Sequence, residues 1–310
     1  MKILVTGGAG FIGGNVLLYL RRRGYEVDAL DSLERASPEI FKLLKENNVM
    51  IYVEDLRASS RLREIVNKYD VIIHAAAYID VKESIENPWI YMENNYLSTY
   101  RLSEALDRRQ MIVYLSSASV YGDSSEIPLR EDSPKKPISP YGLSKLLGEE
   151  ALIIGSLCKG FRYSILRLFN VYGPGQSRSY AGVISIFIDR VLRDQPPIIF
   201  GDGMNMRDFI HVRDVARVIE LILERPDVSG IFNVGSGVGV SIGDLARLII
   251  RLAGKEGALY PQYAEPRPGD IRVSIASIDK LKKILGFTPE ISLEKGLEEL
   301  IKMKRNEVER

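Results

Sequence analysis

The chain has 310 residues, enough for a large core and for more than one conventional domain. Its 42 basic and 41 acidic residues leave a net charge of +1, which gives no electrostatic case for a nucleic acid or an anionic membrane as partner. A single cysteine, Cys158, excludes an internal disulfide framework. No apolar stretch reaches bilayer length and the chain opens directly in a strand-like run, so a soluble cytoplasmic protein is expected.

Lys2–Thr6 is rich in Ile, Leu and Val and predicts a buried strand. Gly7, Gly8, Gly10 and Gly13 follow, and Phe11, Ile12, Val16, Leu17 and Leu20 begin a helical pattern. Strand, glycine turn and helix are the setting in which Gly8-x-Gly10-x-x-Gly13 predicts dinucleotide binding, with the phosphates on the helix N-terminus. A second strand, Tyr25–Leu30, ends in Asp31, about where a carboxylate grips an adenosine ribose. That order outweighs the alternative of a Gly-rich surface turn with an incidental acid, and an ADP moiety is expected here.

Further on, Ser37–Asn47 predicts a helix, Val49–Val53 a strand ending near Asp55, and Ser60–Tyr69 a polar helix. Val71–His74 is a fourth strand closed by Ala75–Ala77, small residues that suit either a flat ligand or close helix–sheet packing. Pro88–Arg109 predicts one long helix, Met111–Leu115 a fifth strand, a helix begins near Tyr141, and Tyr163–Leu168 is a sixth strand. The alternation predicts an α/β protein with a parallel, doubly wound sheet. Beyond Asn170 the texture turns irregular. Helices are expected at Val183–Leu192, His211–Leu223, Ile242–Ala253, Ile278–Leu285 and Leu293–Met303. A strand-like loop falls at Pro196–Gly203, a strand at Gly230–Gly235, and the charged tail from Lys302 is expected to fray. The predicted division is a dinucleotide domain over residues 1–171, with 204–234 returning to it, and a smaller lobe from 172–203 and 235–310.

Tyr141 and Lys145 are four apart on a predicted helix, so their heads can meet. An ammonium beside a phenol favours the phenolate, a base able to take a hydroxyl proton while hydride leaves the same carbon. Tyr and Lys at that spacing are usually a solvated face, but here they follow a serine cluster at a strand end on a chain with a dinucleotide fingerprint. Ser117 lies just past the fifth strand, placed to relay a proton or polarise a carbonyl, or else simply to cap a turn. His74 and His211 stand apart, and one cysteine cannot complete a thiolate site, so no metal is expected.

The segments TGGAGFIGGN, SSASVYG, YGLSK, RLFNVYGPGQ, GDGMNMRDFIHVRDV and PRPGD, in this order across nearly the whole chain, resemble the extended short-chain dehydrogenase/reductase family. Within it they are similar to the nucleotide-sugar epimerase/dehydratase branch, and there to UDP-glucose (UDP-galactose) 4-epimerases. The resemblance implies a Rossmann domain holding NAD, with a smaller α/β lobe for the nucleotide sugar. It implies that Gly7, Gly10, Phe11, Ile12 and Gly13 line the pyrophosphate and that Asp31 holds the adenosine ribose. Asp55 and Leu56 would meet the adenine, and Ala75, Ala76, Ala77, Asn95 and Phe169 would lie further along the cofactor. Tyr141 would be the base, Lys145 would hold the nicotinamide ribose, and Ser117 would be the hydroxyl partner. Asn170, Arg207 and Arg267 fall where the family grips the diphosphate, Asp270 where it holds the nucleotide ribose, and Val183 and Phe200 near the uracil pocket. Ion pairing of the arginines with Asp208 or Asp270 is the competing reading. A homodimer through the Pro88–Arg109 helix and the Gly142–Cys158 helix is implied as well.

In the sugar dehydratases of that family the catalytic hydroxyl precedes an Asp-Glu pair that eliminates water. Ala118 and Ser119 stand there in this chain and neither protonates a leaving hydroxide, so reversible oxidation at C4 is the expected chemistry. Asp31 disfavours a 2′-phosphate, hence NAD over NADP. Tyr78 and Ile79 replace residues that are often polar or basic in relatives, and Ser98 replaces a glycine. The Asn and Pro common within 179–185 are lacking. Ser274 falls where some epimerases carry a bulky tyrosine that excludes N-acetylated sugars. Two competitors remain: a net NAD-linked dehydrogenase on the same scaffold, and a non-enzymatic dinucleotide sensor.

Overall fold

Alternation along the strands sets the architecture of the first half. In β1 (Lys2–Thr6), Ile3 and Val5 face one core and Leu4 the other. The same split recurs in β4 (Val71–His74), where Val71 and Ile73 oppose Ile72, and in β5 (Met111–Ser117), where Val113 and Leu115 oppose Ile112 and Tyr114. Strands apolar on both faces need cover on both, which the crossover helices supply. The computed structural model describes residues 1–176, 182–266 and 269–308, and shows a seven-stranded parallel sheet in the order β10-β6-β5-β4-β1-β2-β3. Here β2 is Glu26–Asp31, β3 Ile51–Val53, β6 Arg162–Leu168 and β10 Gly230–Val234.

Helices α1 (Phe11–Arg22), α2 (Pro38–Glu46) and α9 (Val212–Glu224) cover one face; α3 (Leu62–Val66), α6 (Ser98–Ala105) and α7 (Pro140–Lys159) cover the other. Local signals fix several ends. Ser37 caps α2 by accepting from Ile40 N, Ser139 caps α7 by accepting from Gly142 N, and Gly160 ends α7 in the left-handed region.

The single helix predicted over Pro88–Arg109 is instead α5 (Pro88–Tyr91), a π-helical turn (Met92–Leu97) and α6. The hydroxyls of Ser98 and Thr99 bond back to the carbonyls of Asn94 and Asn95, competing with the regular ladder. The run also stops at Ala105, because Leu106 is extended and the Gln110 side chain caps the turn through Asp107 N. Helix α4 (Val81–Glu86) is an addition, capped by Asp80. The tail expected to fray is helical as α12 (Leu293–Val308).

In the second half β9 (Met206–His211), a strand the sequence reading does not predict and whose last residue it places at a helix start, pairs with β7 (Asn170–Tyr172), β11 (Gly239–Ser241) and β13 (Val273–Ser274). A parallel pair of β8 (Ile198–Phe200) and β12 (Gln262–Ala264) lies beside it. Helices α8 (Val183–Leu192), α10 (Ile242–Leu252) and α12 pack into a core with Tyr172, Ile199 and Phe209; α11 (Asp279–Leu285) packs on the large sheet. Within 204–234, then, α9 and β10 join the large sheet and β9 joins the small one.

Candidate active site

The C-terminal ends of β1, β2, β4, β5 and β6 form one edge, where open parallel sheets bind ligands. After β1 the chain turns sharply: Gly7 has φ +68° and donates its N–H to Leu30 O at 2.8 Å. A side chain at Gly7 would set its Cβ 2.6 Å from Ala76 N, and one at Gly13 would collide with Gly7 O. The glycines therefore press the turn against the Ala75–Ala77 backbone, so close packing explains Ala75 and Ala76 and leaves Ala77 half-buried beside them. Gly10 caps α1 without any side-chain hydrogen bond, and Phe11 and Ile12 follow half-buried. The first amides of α1 are thus left without a side-chain cap, as an anion site requires.

Asp31, at the end of β2, accepts from Ala9 N at 2.9 Å and Leu33 N at 2.8 Å. Burial pushes its carboxyl up and those two amides draw it back. Leu33 sits at φ +64°, a strained conformation for a leucine, held by that bond. Asp55 is gripped by the Arg57 guanidinium at 2.9 and 3.0 Å, which outweighs burial and holds it below the ordinary carboxylate range. Leu56 is buried in the core beneath. Asn95 lies in the π-turn, accepts from Tyr78 N at 2.8 Å and donates to Tyr78 O at 2.9 Å and Ser144 Oγ at 3.0 Å. It thereby ties the end of β4 to α7. Phe169 packs in a small buried cluster with Val120, Tyr121 and Ala276.

Ser117, Tyr141 and Lys145 come together at the end of β5. Ser117 caps the turn Ala118–Val120, accepting from Ser119 N at 3.1 Å, as the capping reading of its hydroxyl expects, and it lies near enough to Tyr141 to draw the phenol down. Tyr141 and Lys145 are 8% and 3% exposed, far from a solvated face. Burial raises the Tyr141 phenol, with Ser117 pulling it down; burial lowers Lys145 to about 7, with Glu149 pulling it up. The expected lowering of Tyr141 by Lys145 is not what this structure has. The desolvated lysine amine sits 4.5 Å from the centroid of the Tyr114 ring, and burial dominates the phenol.

Around the small sheet, Asn170 donates to Asp208 O at 3.2 Å, and Val183 opens α8. Phe200 lines a cavity of about 650 Å³ with Asp202, Asn205, Pro266 and Asp270. Arg207 pairs with Asp270 at 2.6 Å, whose other oxygen accepts from Asn205 at 2.9 Å. The ion-pair reading of Arg207 therefore holds in this structure, and burial lowers the guanidinium more than Asp270 raises it. Arg267 lies outside the described residues. Among the described residues no cluster of His, Cys, Asp and Glu is arranged to hold a metal, and no helix is long and apolar enough to cross a membrane.

The sequence reading passed over one feature beneath the site. Glu149, one turn beyond Lys145, is fully buried; Arg167 Nη2 reaches it at 2.7 Å and Ser116 Oγ at 2.5 Å. An arginine inside the apolar run Ile165–Leu168 of a central strand was the available signal, since a buried charge needs a partner.

A doubly wound sheet whose glycine turn and Ser-Tyr-Lys cluster share one edge defines an extended short-chain dehydrogenase/reductase. The chain belongs to the NAD dependent epimerase/dehydratase family, whose model matches residues 3–235. It is 38% identical over 313 residues to a Methanocaldococcus jannaschii protein provisionally named UDP-glucose 4-epimerase, covering 98% of each chain. A Thermotoga maritima UDP-glucose 4-epimerase solved with UDP-glucose superposes at a TM-score of 0.92, with 33% identity, 99% of this chain and 100% of that one. A Methanobrevibacter ruminantium UDP-N-acetylglucosamine 4-epimerase, solved with UDP-N-acetylmuramic acid, matches at 0.91 with 33% identity over 99% and 98%.

Proposed function

We propose that the chain carries out NAD-dependent 4-epimerisation of a UDP-hexose, UDP-galactose and UDP-glucose first and the N-acetylated forms as well. The observation that carries this reading is the buried Ser117–Tyr141–Lys145 cluster followed by Ala118 and Ser119, a site with a base and no acid for elimination. The residues present fit NAD: Asp31 keeps acceptor capacity for ribose hydroxyls, and the uncapped α1 terminus faces the turn where a pyrophosphate belongs. When bound, NAD would supply the hydride acceptor, a positive ring that favours the phenolate and, once reduced, the same hydride for return to the sugar. Tyr141 takes the 4-hydroxyl proton, Ser117 relays it, and Lys145 holds the nicotinamide ribose. The sugar, now a 4-ketone, turns about its diphosphate link and is reduced on its opposite face, where Tyr141 returns the proton. Asn170, Arg207, Arg267 and Asp270 hold the nucleotide while the sugar turns, with Arg207 exchanging Asp270 for the diphosphate.

Two finer readings go with it. Ser274, a small residue on β13 paired in register with Arg207, stands where a bulky tyrosine would exclude N-acetyl sugars, which supports their turnover. Trp89, Tyr100, Ile154 and Leu157 stay exposed on the packed helices α5 to α7, which supports a homodimer through that surface.

The test is incubation with UDP-galactose without reductant, followed by proton NMR of the anomeric signals. UDP-glucose without net NADH is the expected product. Stoichiometric NADH instead would replace this reading with the dehydrogenase, and no conversion with added NAD would overturn UDP-galactose as substrate.

A further inference from the structure

Three strands of the large sheet lie in the order β4-β1-β2, so the glycine turn after β1 sits between the segments that follow β2 and β4. Those two segments are joined by side chains. Arg35, four residues beyond Asp31, meets Glu83 of α4 with both guanidinium ends, at 2.7 and 2.6 Å. The guanidinium carbon also lies 3.5 Å from the centroid of the Tyr78 ring. Glu83 is anchored in turn: the hydroxyl of fully buried Tyr91 donates to it at 2.8 Å, and that ring packs edge-on against Tyr141 at 6.4 Å.

We propose that the Arg35–Glu83 pair is a clasp over the cofactor groove that retains the dinucleotide between turnovers. This rests on the NAD reading above. A dinucleotide running along the strand ends from Asp31 to Tyr141 passes the end of β1, and the pair joins the two segments that flank that end. An isolated surface ion pair would do little, but this one is bidentate, stacked on an aromatic face and tied to a buried phenol. Its side chains are 22% and 31% exposed, open enough to part and closed enough to hold. In the proposed reaction the cofactor is restored at each turnover and has no need to leave, so slow release costs the cycle nothing.

The experiment loads the full chain with NAD, passes it into NAD-free buffer and follows acid-released NAD remaining on the protein. Wild type is compared with Glu83→Gln, Arg35→Met and the exchanged pair Arg35→Glu/Glu83→Arg, at low and high salt. The single variants are expected to release NAD about five- to tenfold faster, with melting temperatures near that of wild type. The exchanged pair restores the charges without the Tyr78 stacking or the Tyr91 bond and is expected to recover part of the retention, and high salt to speed release from wild type but not from the single variants. Release at the wild-type rate in both single variants overturns the clasp while leaving the NAD reading intact. Faster release with no recovery in the exchanged pair and no salt effect on wild type also overturns it, as a general loosening. A wild type that takes up no NAD overturns the cofactor reading, and the clasp with it.

Discussion

Burial acts in opposite senses on Tyr141 and Lys145, raising the phenol and lowering the amine to about 7. Both shifts favour the neutral form, so the chain by itself holds the phenol neutral and leaves the amine poised between charged and neutral near pH 7, and a cation beside the phenol is what converts it to a base. Tyr141→Phe is therefore expected to lose about 100- to 10,000-fold in kcat. Its NAD content should stay unchanged, as read from acid-released nucleotide and the NMR assay. His74 belongs to the same buried layer, sharing hydrogen bonds with Thr6 Oγ1 at 2.6 Å and Thr99 Oγ1 at 2.9 Å. Burial first, then the Lys145 charge, lowers it to about 3. As pH falls, the unfolded chain protonates this histidine near 6.5 while the folded chain does not until about 3. Its contribution is complete above that upper value and is lost progressively down to the lower one. Wild type should thus lose about 2 kcal/mol between pH 7 and 4.5 that His74→Gln does not lose, measured by denaturant unfolding of each at both values. Equal losses would place the acid sensitivity elsewhere.

Elements with a strong period or a clear cap were legible in the sequence: β1, β4 and α8 fall on the predicted residues, and α2 starts beside Ser37, where its helix was expected. The Ser117, Tyr141 and Lys145 cluster was legible for the same reason, since strand end and helix spacing place all three. What escaped depends on partners distant in sequence. Strand β9 carries Asp208, whose carboxylate is fully buried because Ser236 N, Gly237 N and Ala276 N donate to it. No local pattern foretells that. The π-turn escaped because no local residue pattern marks it, yet Asn95 lies within it and bonds inward to Tyr78. The joint between α7 and β6 is the Glu149–Arg167 pair, with neither side chain exposed. Glu149→Leu should cost about 3–5 kcal/mol by stranding the arginine. Glu149→Leu/Arg167→Met should recover most of it, as urea unfolding midpoints would show. A double variant no better than the single would mean that the bonds to Ser116 and Tyr121 matter more than the charges.

At the scale of the whole molecule, the two halves share their connections as well as an edge. Asn15 of α1 donates to Pro174 O at 2.9 Å and Ser37 to Gly175 O at 2.9 Å, so the turn that opens the second lobe is tied to the glycine-turn helix. These ties hold the turn after β7 against α1 and the start of α2, while one side of α6 and α7 is left to face outward. Leu157 is 82% exposed, Trp89 65% and Ile154 59%, on helices that already pack against one another. Exposed apolar side chains of that size on neighbouring helices are of the kind that the proposed isologous partner would cover. Ile154 and Leu157 lie on the helix that carries Tyr141 and Lys145, so a homodimer there would stiffen the catalytic helix from behind. Ile154→Arg and Leu157→Glu remove the apolar match without touching the site. Sedimentation velocity should then show a monomer that keeps its NAD but unfolds at lower temperature. If both variants sediment as wild type does, the proposed dimer is formed elsewhere or not at all, and the exposed face of α7 needs another partner.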